Sequence, residues 1–217
     1  MRTALLDLDG TLVDSAPLIT EHLSAALATV GVARTPAELQ PMVGPPFETA
    51  LPALGLTGEQ TIAVITAYRA TYDAVAATHT PLYPGSDSLL RRLRAAGLRL
   101  AVATSKPEQV ARSIVDGVGI GEHLVLVGGA DHEGGRLGKA AVVGSVLRRL
   151  GLDPSRDPVL MVGDRHHDVD GAAAHGVRTI GVSWGYAEPG EFTGAQKVVA
   201  DVDALVELLS GDAVWAD

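Results

Sequence analysis

The sequence predicts an α/β protein whose parallel sheet is covered by helices on both faces, with an all-helical insertion after the first strand. Three observations carry this expectation. Several short segments are apolar almost throughout, as strands buried on both faces are, instead of alternating apolar with polar residues. From residue 81 onward these segments alternate with stretches of helical period. Between residues 15 and 80, strand-like alternation is missing and helix-start signals recur.

Taken in order, residues 3–8 are short, mostly apolar and soon followed by Gly10, which reads as a buried strand running into a turn. From residue 15 the pattern turns helical, and Leu18, His22, Leu23, Ala26, Leu27 and Val30 mark one face of a first helix. Thr35-Pro36-Ala37-Glu38 is a capping box with proline at the first helical position. Thr57-Gly58-Glu59-Gln60 repeats the box before a long helix carrying Ile62, Ile65 and Tyr72. Between the two, residues 47–54 form a short helix after the Gly44-Pro45-Pro46 break. Pro81-Leu82-Tyr83-Pro84-Gly85 punctuates the return to the sheet. Helix 86–96 leads to strand 98–104, and helix 107–115, opened by a capping box from Ser105 to Glu108, leads to strand 124–127. Helix 139–150 precedes strand 158–162, and helix 168–175 precedes strand 178–182. Strand 197–200 then precedes helix 204–209, and 211–217 is a frayed tail. The outcome is a Rossmann-like core with a helical insert at 15–80.

With 217 residues and 47% hydrophobic content, the chain is long and apolar enough for one substantial domain, or a core with a smaller insert. It contains no cysteine, which excludes disulfides, thiol nucleophiles and thiolate zinc sites and points to no oxidising compartment. No apolar stretch reaches the roughly 20 residues of a membrane span, and Met1-Arg2 leads straight into a charged motif, so a cytoplasmic location is expected; the sequence leaves monomer and homodimer both open. A net charge of −9 disfavours nucleic acid as a partner but leaves room for a small phosphorylated metabolite at a local cationic site.

Asp7-Leu8-Asp9-Gly10-Thr11 places two carboxylates at the exit of an apolar segment. Alternate strand residues face the same side, so Asp7 and Asp9 converge while Gly10 frees the backbone to turn. Such a pair is costly unless a divalent metal or a shared proton holds it, although the segment alone also reads as a strand entering an Asp-Gly turn. Ala103-Thr104-Ser105-Lys106 ends a second apolar run, Lys139 opens a helical stretch, and Gly163-Asp164-Arg165-His166-His167-Asp168 follows a further run. In an open parallel sheet the ligand crevice lies beyond the carboxyl ends of the strands, so Asp7, Asp9, Thr104, Lys139 and Asp164 are expected to meet there. Plainer readings exist: Lys139 as a solvated helix residue, Asp9 as an Asx-turn cap, Ser105 as a helix cap. His166 and His167 beside Asp168 suggest a metal cluster, yet adjacent residues point apart on a helix or strand, and no third ligand is spaced to join them. Arg91, Arg92, Arg94 and Arg99 read as a solvated face, Trp184 and Tyr186 as either lining the boundary of the insert or packing there, and loop 43–47 as the part of the insert that reaches the site.

In this order, the carboxylate pair, hydroxyl, lysine and second acidic cluster resemble the haloacid dehalogenase-like superfamily, in its Mg²⁺-dependent phosphatase branch. Val43-Gly44-Pro45-Pro46 and Ser183-Trp184-Gly185-Tyr186 further resemble the phosphoglycolate phosphatase and 5′-nucleotidase-like members. The resemblance implies a catalytic core of residues 1–14 and 81–217 roofed by a helical cap of residues 15–80. It implies Asp7 as the nucleophile that becomes an aspartyl-phosphate, and Asp9 as the acid for the leaving alkoxide and then the base for water. Thr104, Ser105 and Lys139 would hold the phosphoryl group; Asp7, the backbone carbonyl of Asp9 and Asp164 would hold Mg²⁺; Asp168 would orient Asp164 or a water of the ion without binding it. A phosphomutase acting on a sugar phosphate would share every core motif. A non-catalytic phosphate-binding module would keep the fold but lose a motif residue, whereas dehalogenase and phosphonate-hydrolase relatives lack an acid at the position of Asp9.

Overall fold

A computed structural model describes residues 1–131 and 133–216. Its sheet is parallel throughout. The central strand β1 (Thr3–Leu6) pairs with β2 (Arg99–Pro107) on one side and with β4 (Val159–Gly163) on the other. Beyond β2 lies β3 (Leu126–Ala130), and beyond β4 lie β5 (Arg178–Val182) and β6 (Lys197–Val199), giving the order β3-β2-β1-β4-β5-β6.

Strand alternation explains the continuous apolar runs. Ala4, Leu6, Leu100, Val102, Leu160, Val162, Ile180 and Val182 belong to one buried cluster. Their sequence neighbours Leu5, Ala101, Ala103, Val159 and Met161 belong to another, closed by Val142, Val143 and Val146 of helix α7 (Gly138–Leu150). Both faces are therefore core, and each buried Leu or Val contributes roughly 1.5–3 kcal/mol. Strand order reverses at β1, because the chain builds outward through β2 and β3 and then returns to the opposite side at β4. Beyond the carboxyl ends of β1, β2 and β4 lies the crevice that such a reversal creates.

Between β1 and β2 the insert contains α1 (Ala16–Ala28), α2 (Pro36–Leu39), α3 (Phe47–Ala50) and α4 (Gly58–His79). Both expected capping boxes form: the Thr35 and Thr57 hydroxyls accept from the N–H groups of Glu38 and Gln60, whose side chains reach back to the cap N–H groups. Ile62 is turned to solvent while Ile65 and Tyr72 are buried. The carboxyl end of α4 rests on that of α6 (Glu108–Gly117), a contact that only glycine permits. A Cβ at Gly117 would lie 2.0 Å from the carbonyl oxygen of Ala77.

Four local expectations are corrected. β2 does not stop at Thr104 but continues to Pro107 through an irregularity after Ala103. Ser105 does not cap α6, whose N-cap is Pro107 without a side-chain bond. Glu108 cannot reach back because Arg112, Arg136, Arg149 and the Gly129 N–H occupy its carboxylate. α8 (His166–Ala173) begins two residues earlier than expected, since Asp168 accepts the Arg165 N–H and extends the first turn. After α9 (Val202–Ser210) the chain does not fray at 211–216: Val214 and Trp215 are buried in a 3₁₀ turn, and the Trp215 indole donates to the Leu209 carbonyl at 2.8 Å. Asp217 lies outside the described residues. α5 (Ser86–Ala95) keeps its arginines at the surface, Arg91 beside Asp87 and Arg92 beside Asp203. Among the described residues, no helix is long and apolar enough to cross a membrane.

Candidate active site

Asp7 follows β1 directly, and its N–H continues the ladder by donating to the Val162 carbonyl at 2.9 Å. Lys139, in the first turn of α7, reaches across from the other side of the sheet end. Its Nζ lies 2.7 Å from Asp7 Oδ1 and 2.7 Å from Asp168 Oδ1, and donates to the Ala103 carbonyl at 3.0 Å. Asp164, at the end of β4, is fully buried; its Oδ2 accepts the Tyr186 N–H at 2.7 Å, and its Oδ1 faces the Thr11 hydroxyl at 3.4 Å. Gly10 makes this closeness possible. Its φ of 81° is left-handed, and a Cβ there would sit 2.1 Å from Asp164 Oδ2.

Two carboxylates thus share one ammonium, and a third, Asp164, is buried beside them. Burial pushes the Asp7 carboxyl up to about 7 even though Lys139 pulls it down, with Asp168 adding to the rise. Burial, then the charges of Asp168 and Asp7, hold Asp164 well above the usual carboxylate range. For Lys139, burial favours the neutral amine, but Asp168 and Asp7 outweigh it and raise its affinity for the proton. The cluster lacks positive charge. Apart from the ion pairs to Lys139, the buried Asp7 Oδ1 and Asp168 Oδ1 have no hydrogen-bond partner among the described residues. Asp7, Asp164 and Asp168 each offer an oxygen, all within 4.8 Å of one another. A set of hard carboxylate donors with unspent acceptor capacity fits a divalent cation such as Mg²⁺.

A second charged group adjoins the first. Asp9 Oδ1 accepts the Ser15 hydroxyl at 2.5 Å and lies 3.3 Å from the Nζ of Lys106. That buried ammonium also donates to the Tyr72 hydroxyl of α4 at 2.9 Å and stands 4.8 Å from the centre of its ring. Burial opposes the charge on Lys106, but Asp9 and Tyr72 overcome it and raise its proton affinity. Asp7, Asp9, Thr104, Lys106, Lys139 and Asp168 all face a small cavity of about 20 Å³. Asp9, Ser105 and Lys106 also face a larger one of about 90 Å³ under α3 and α4.

Further contacts tie the insert to the sheet end. Arg165 pairs through Nε and Nη2 with Glu191, and its Nη1 donates to the Val43 carbonyl at 2.8 Å. The Tyr186 hydroxyl donates to Asp14 at 3.0 Å and accepts the Ala16 N–H at 3.0 Å, while the Trp184 indole donates to the Thr11 carbonyl at 3.1 Å.

A family model of haloacid dehalogenase-like hydrolases matches residues 4–182, which include Asp7, Asp9, Asp164, Asp168, Lys106 and Lys139. The chain belongs to this family. Among curated relatives, the tyrosine-protein kinase PtkA of Mycobacterium tuberculosis is 46% identical over 183 residues, covering 84% of this chain; the match spans only 62% of PtkA's own length. A phosphoglycolate phosphatase of Rhodospirillum rubrum is 36% identical over 221 residues, covering 96% of this chain and 90% of its own. A solved structure of a predicted phosphatase from Clostridium acetobutylicum superposes with a TM-score of 0.89 at 30% identity, covering 95% of this chain and 96% of that one.

In this family member, Asp7, Asp9, Thr104, Ser105 and Lys139 line the small cavity together, and Asp164 stands behind them against Gly10. Thr104 Oγ1 accepts the Lys106 N–H at 3.2 Å. Asp168 does not contact Asp164 by hydrogen bond; its two oxygens serve Lys139 and the Arg165 N–H. The rings of His166 and His167 do not point apart but meet with centroids 3.8 Å from each other; among the described residues neither joins a metal-binding group. Sequence reasoning missed Lys106. The irregular register between Ala103 and Pro107 turns Thr104, Ser105 and Lys106 alike towards the cavity, which regular strand alternation does not anticipate.

Proposed function

We propose that this protein is a Mg²⁺-dependent phosphatase that hydrolyses a small phosphate monoester through an aspartyl-phosphate at Asp7, working in the cytoplasm. The supporting observation is the Asp7 carboxylate, buried beside the Lys139 ammonium at 2.7 Å and facing a cavity shared with Asp9. Asp7 attacks phosphorus and Asp9 hands its proton to the departing alkoxide; Asp9 then takes a proton from the water that cleaves the acyl-phosphate. Lys139 offsets the charge of the nucleophile and the transferring group, while Thr104 and Ser105 hold phosphoryl oxygens. Asp168 keeps the Lys139 ammonium aimed at Asp7. Asp7, the backbone carbonyl of Asp9 and Asp164 would hold Mg²⁺, which supplies the remaining positive charge on the phosphoryl oxygens when bound. Residues 15–80 act as a cap over the core of residues 1–14 and 81–217, with the Val43 loop facing the cavity.

Release of phosphate from 4-nitrophenyl phosphate with and without Mg²⁺ tests this reading, together with mass-spectrometric detection of phosphate on Asp7 after acid quench. Absence of turnover with Mg²⁺ present refutes it. The relative named as a tyrosine-protein kinase supports a second reading, phosphoryl transfer to a protein tyrosine, which requires radiolabel to pass from ATP to a tyrosine peptide. A phosphomutase would instead convert one hexose phosphate into another without releasing phosphate.

A further inference from the structure

Building on the phosphatase reading, we propose that the alcohol released by this enzyme carries a planar ring, seated in the cavity beneath α3 and α4. Asp9, Ser105 and Lys106 face both cavities, so an ester with phosphorus beside Asp7 projects its alcohol into the larger space. That space, about 90 Å³, holds roughly six or more water positions at the 10–15 Å³ each requires, far beyond a two-carbon fragment.

Aromatic residues form one side of it. Tyr68 stacks on Tyr72 with centroids 4.9 Å apart, and Phe47 meets Tyr68 edge-on at 4.8 Å. Met42 and Val110 complete an apolar surround. Such walls present ring faces and edges to which a further ring adds in stacked or T-shaped geometry. The cations of the wall are already engaged: Lys106 by Asp9 and Tyr72, Arg69 by Glu48 at 3.2 Å. A short acidic alcohol such as glycolate would find these charges neutralised and would leave the aromatic side uncovered.

Benzyl and ethyl phosphate release alcohols of similar acidity, so the ratio of their kcat/KM values reports the pocket and not the chemistry. We expect benzyl phosphate to exceed ethyl phosphate at least tenfold, the scale that one or two seated carbon groups provide. In Phe47→Ala the ratio should fall at least fivefold, and nucleoside 5′-monophosphates should outrun phosphoglycolate in the wild type. A wild-type ratio near one, or phosphoglycolate outrunning every ring-bearing ester, overturns the proposal whether or not the variant folds. Failure of every ester, 4-nitrophenyl phosphate included, is a different result: it removes the phosphatase reading and the pocket assignment with it.

Discussion

Replacing Asp7 with asparagine should stabilise the cation-free protein while abolishing turnover. Burial raises the Asp7 carboxyl from 3.8 to about 7, net of the opposing pull of Lys139. A displacement of about three pH units, at about 1.4 kcal/mol each, means that the folded environment disfavours the carboxylate by roughly 4 kcal/mol at pH 8. Below about pH 4 the folded and unfolded chains both hold the proton, and the group contributes nothing. Between about pH 4 and 7 only the folded chain keeps it, so stability falls as pH rises; above 7 the full cost is present. Asparagine keeps the shape but no longer balances Lys139, which retains Asp168 as a partner, so a gain of roughly 2 kcal/mol is expected to survive. Urea denaturation in chelator at pH 8 and pH 5 measures it. A variant less stable than wild type at pH 8, or an advantage that does not shrink towards pH 4, would refute the electrostatic argument; wild-type turnover would refute the nucleophile.

Asp9→Asn should cut kcat/KM strongly for alkyl phosphates and less for 4-nitrophenyl phosphate, whose leaving group needs little protonation; equal losses count against Asp9 as the acid. Lys139→Met leaves Asp7 and Asp168 buried without their shared cation, and the expected loss is about 3–5 kcal/mol in denaturant unfolding. A loss below about 1 kcal/mol would show that the pairing is not what holds the cluster together. Trp215→Ala should cost about 3–5 kcal/mol, visible as a lower melting temperature, because the indole is buried and bonded to Leu209. Unchanged melting would mean that the C-terminal turn adds nothing to the core.

Legibility followed the range of the forces involved. The sheet could be read because strands buried on both faces leave unbroken apolar runs, and the insert because Thr35 and Thr57 carry complete capping boxes. The meeting of Asp7, Lys139 and Asp164 was also readable, since parallel strands deliver their carboxyl ends to one side. Long-range competition for side chains was not readable. Ser105 matches a capping box locally, yet Glu108 is claimed by arginines from α7 and the β3–α7 loop, and the strand runs on past it. Asp168 reads from the sequence as orienting Asp164 or a water of the ion; that one of its oxygens pairs with Lys139, arriving from another helix, has no local signal. Trp215 follows a polar Ser-Gly-Asp stretch that resembles a tail, and only its burial and its bond back to Leu209 of α9 reveal its anchor.

The missing side chain at residue 117 reaches further than its size suggests. α4 is a stiff rod, and Ala77, where it touches Gly117, stands nine residues from Tyr68, about 14 Å along the axis. A methyl group at that fulcrum would wedge the rod upward and swing its distal half, so the aperture over Asp9 would widen or close from a point that touches no reacting atom.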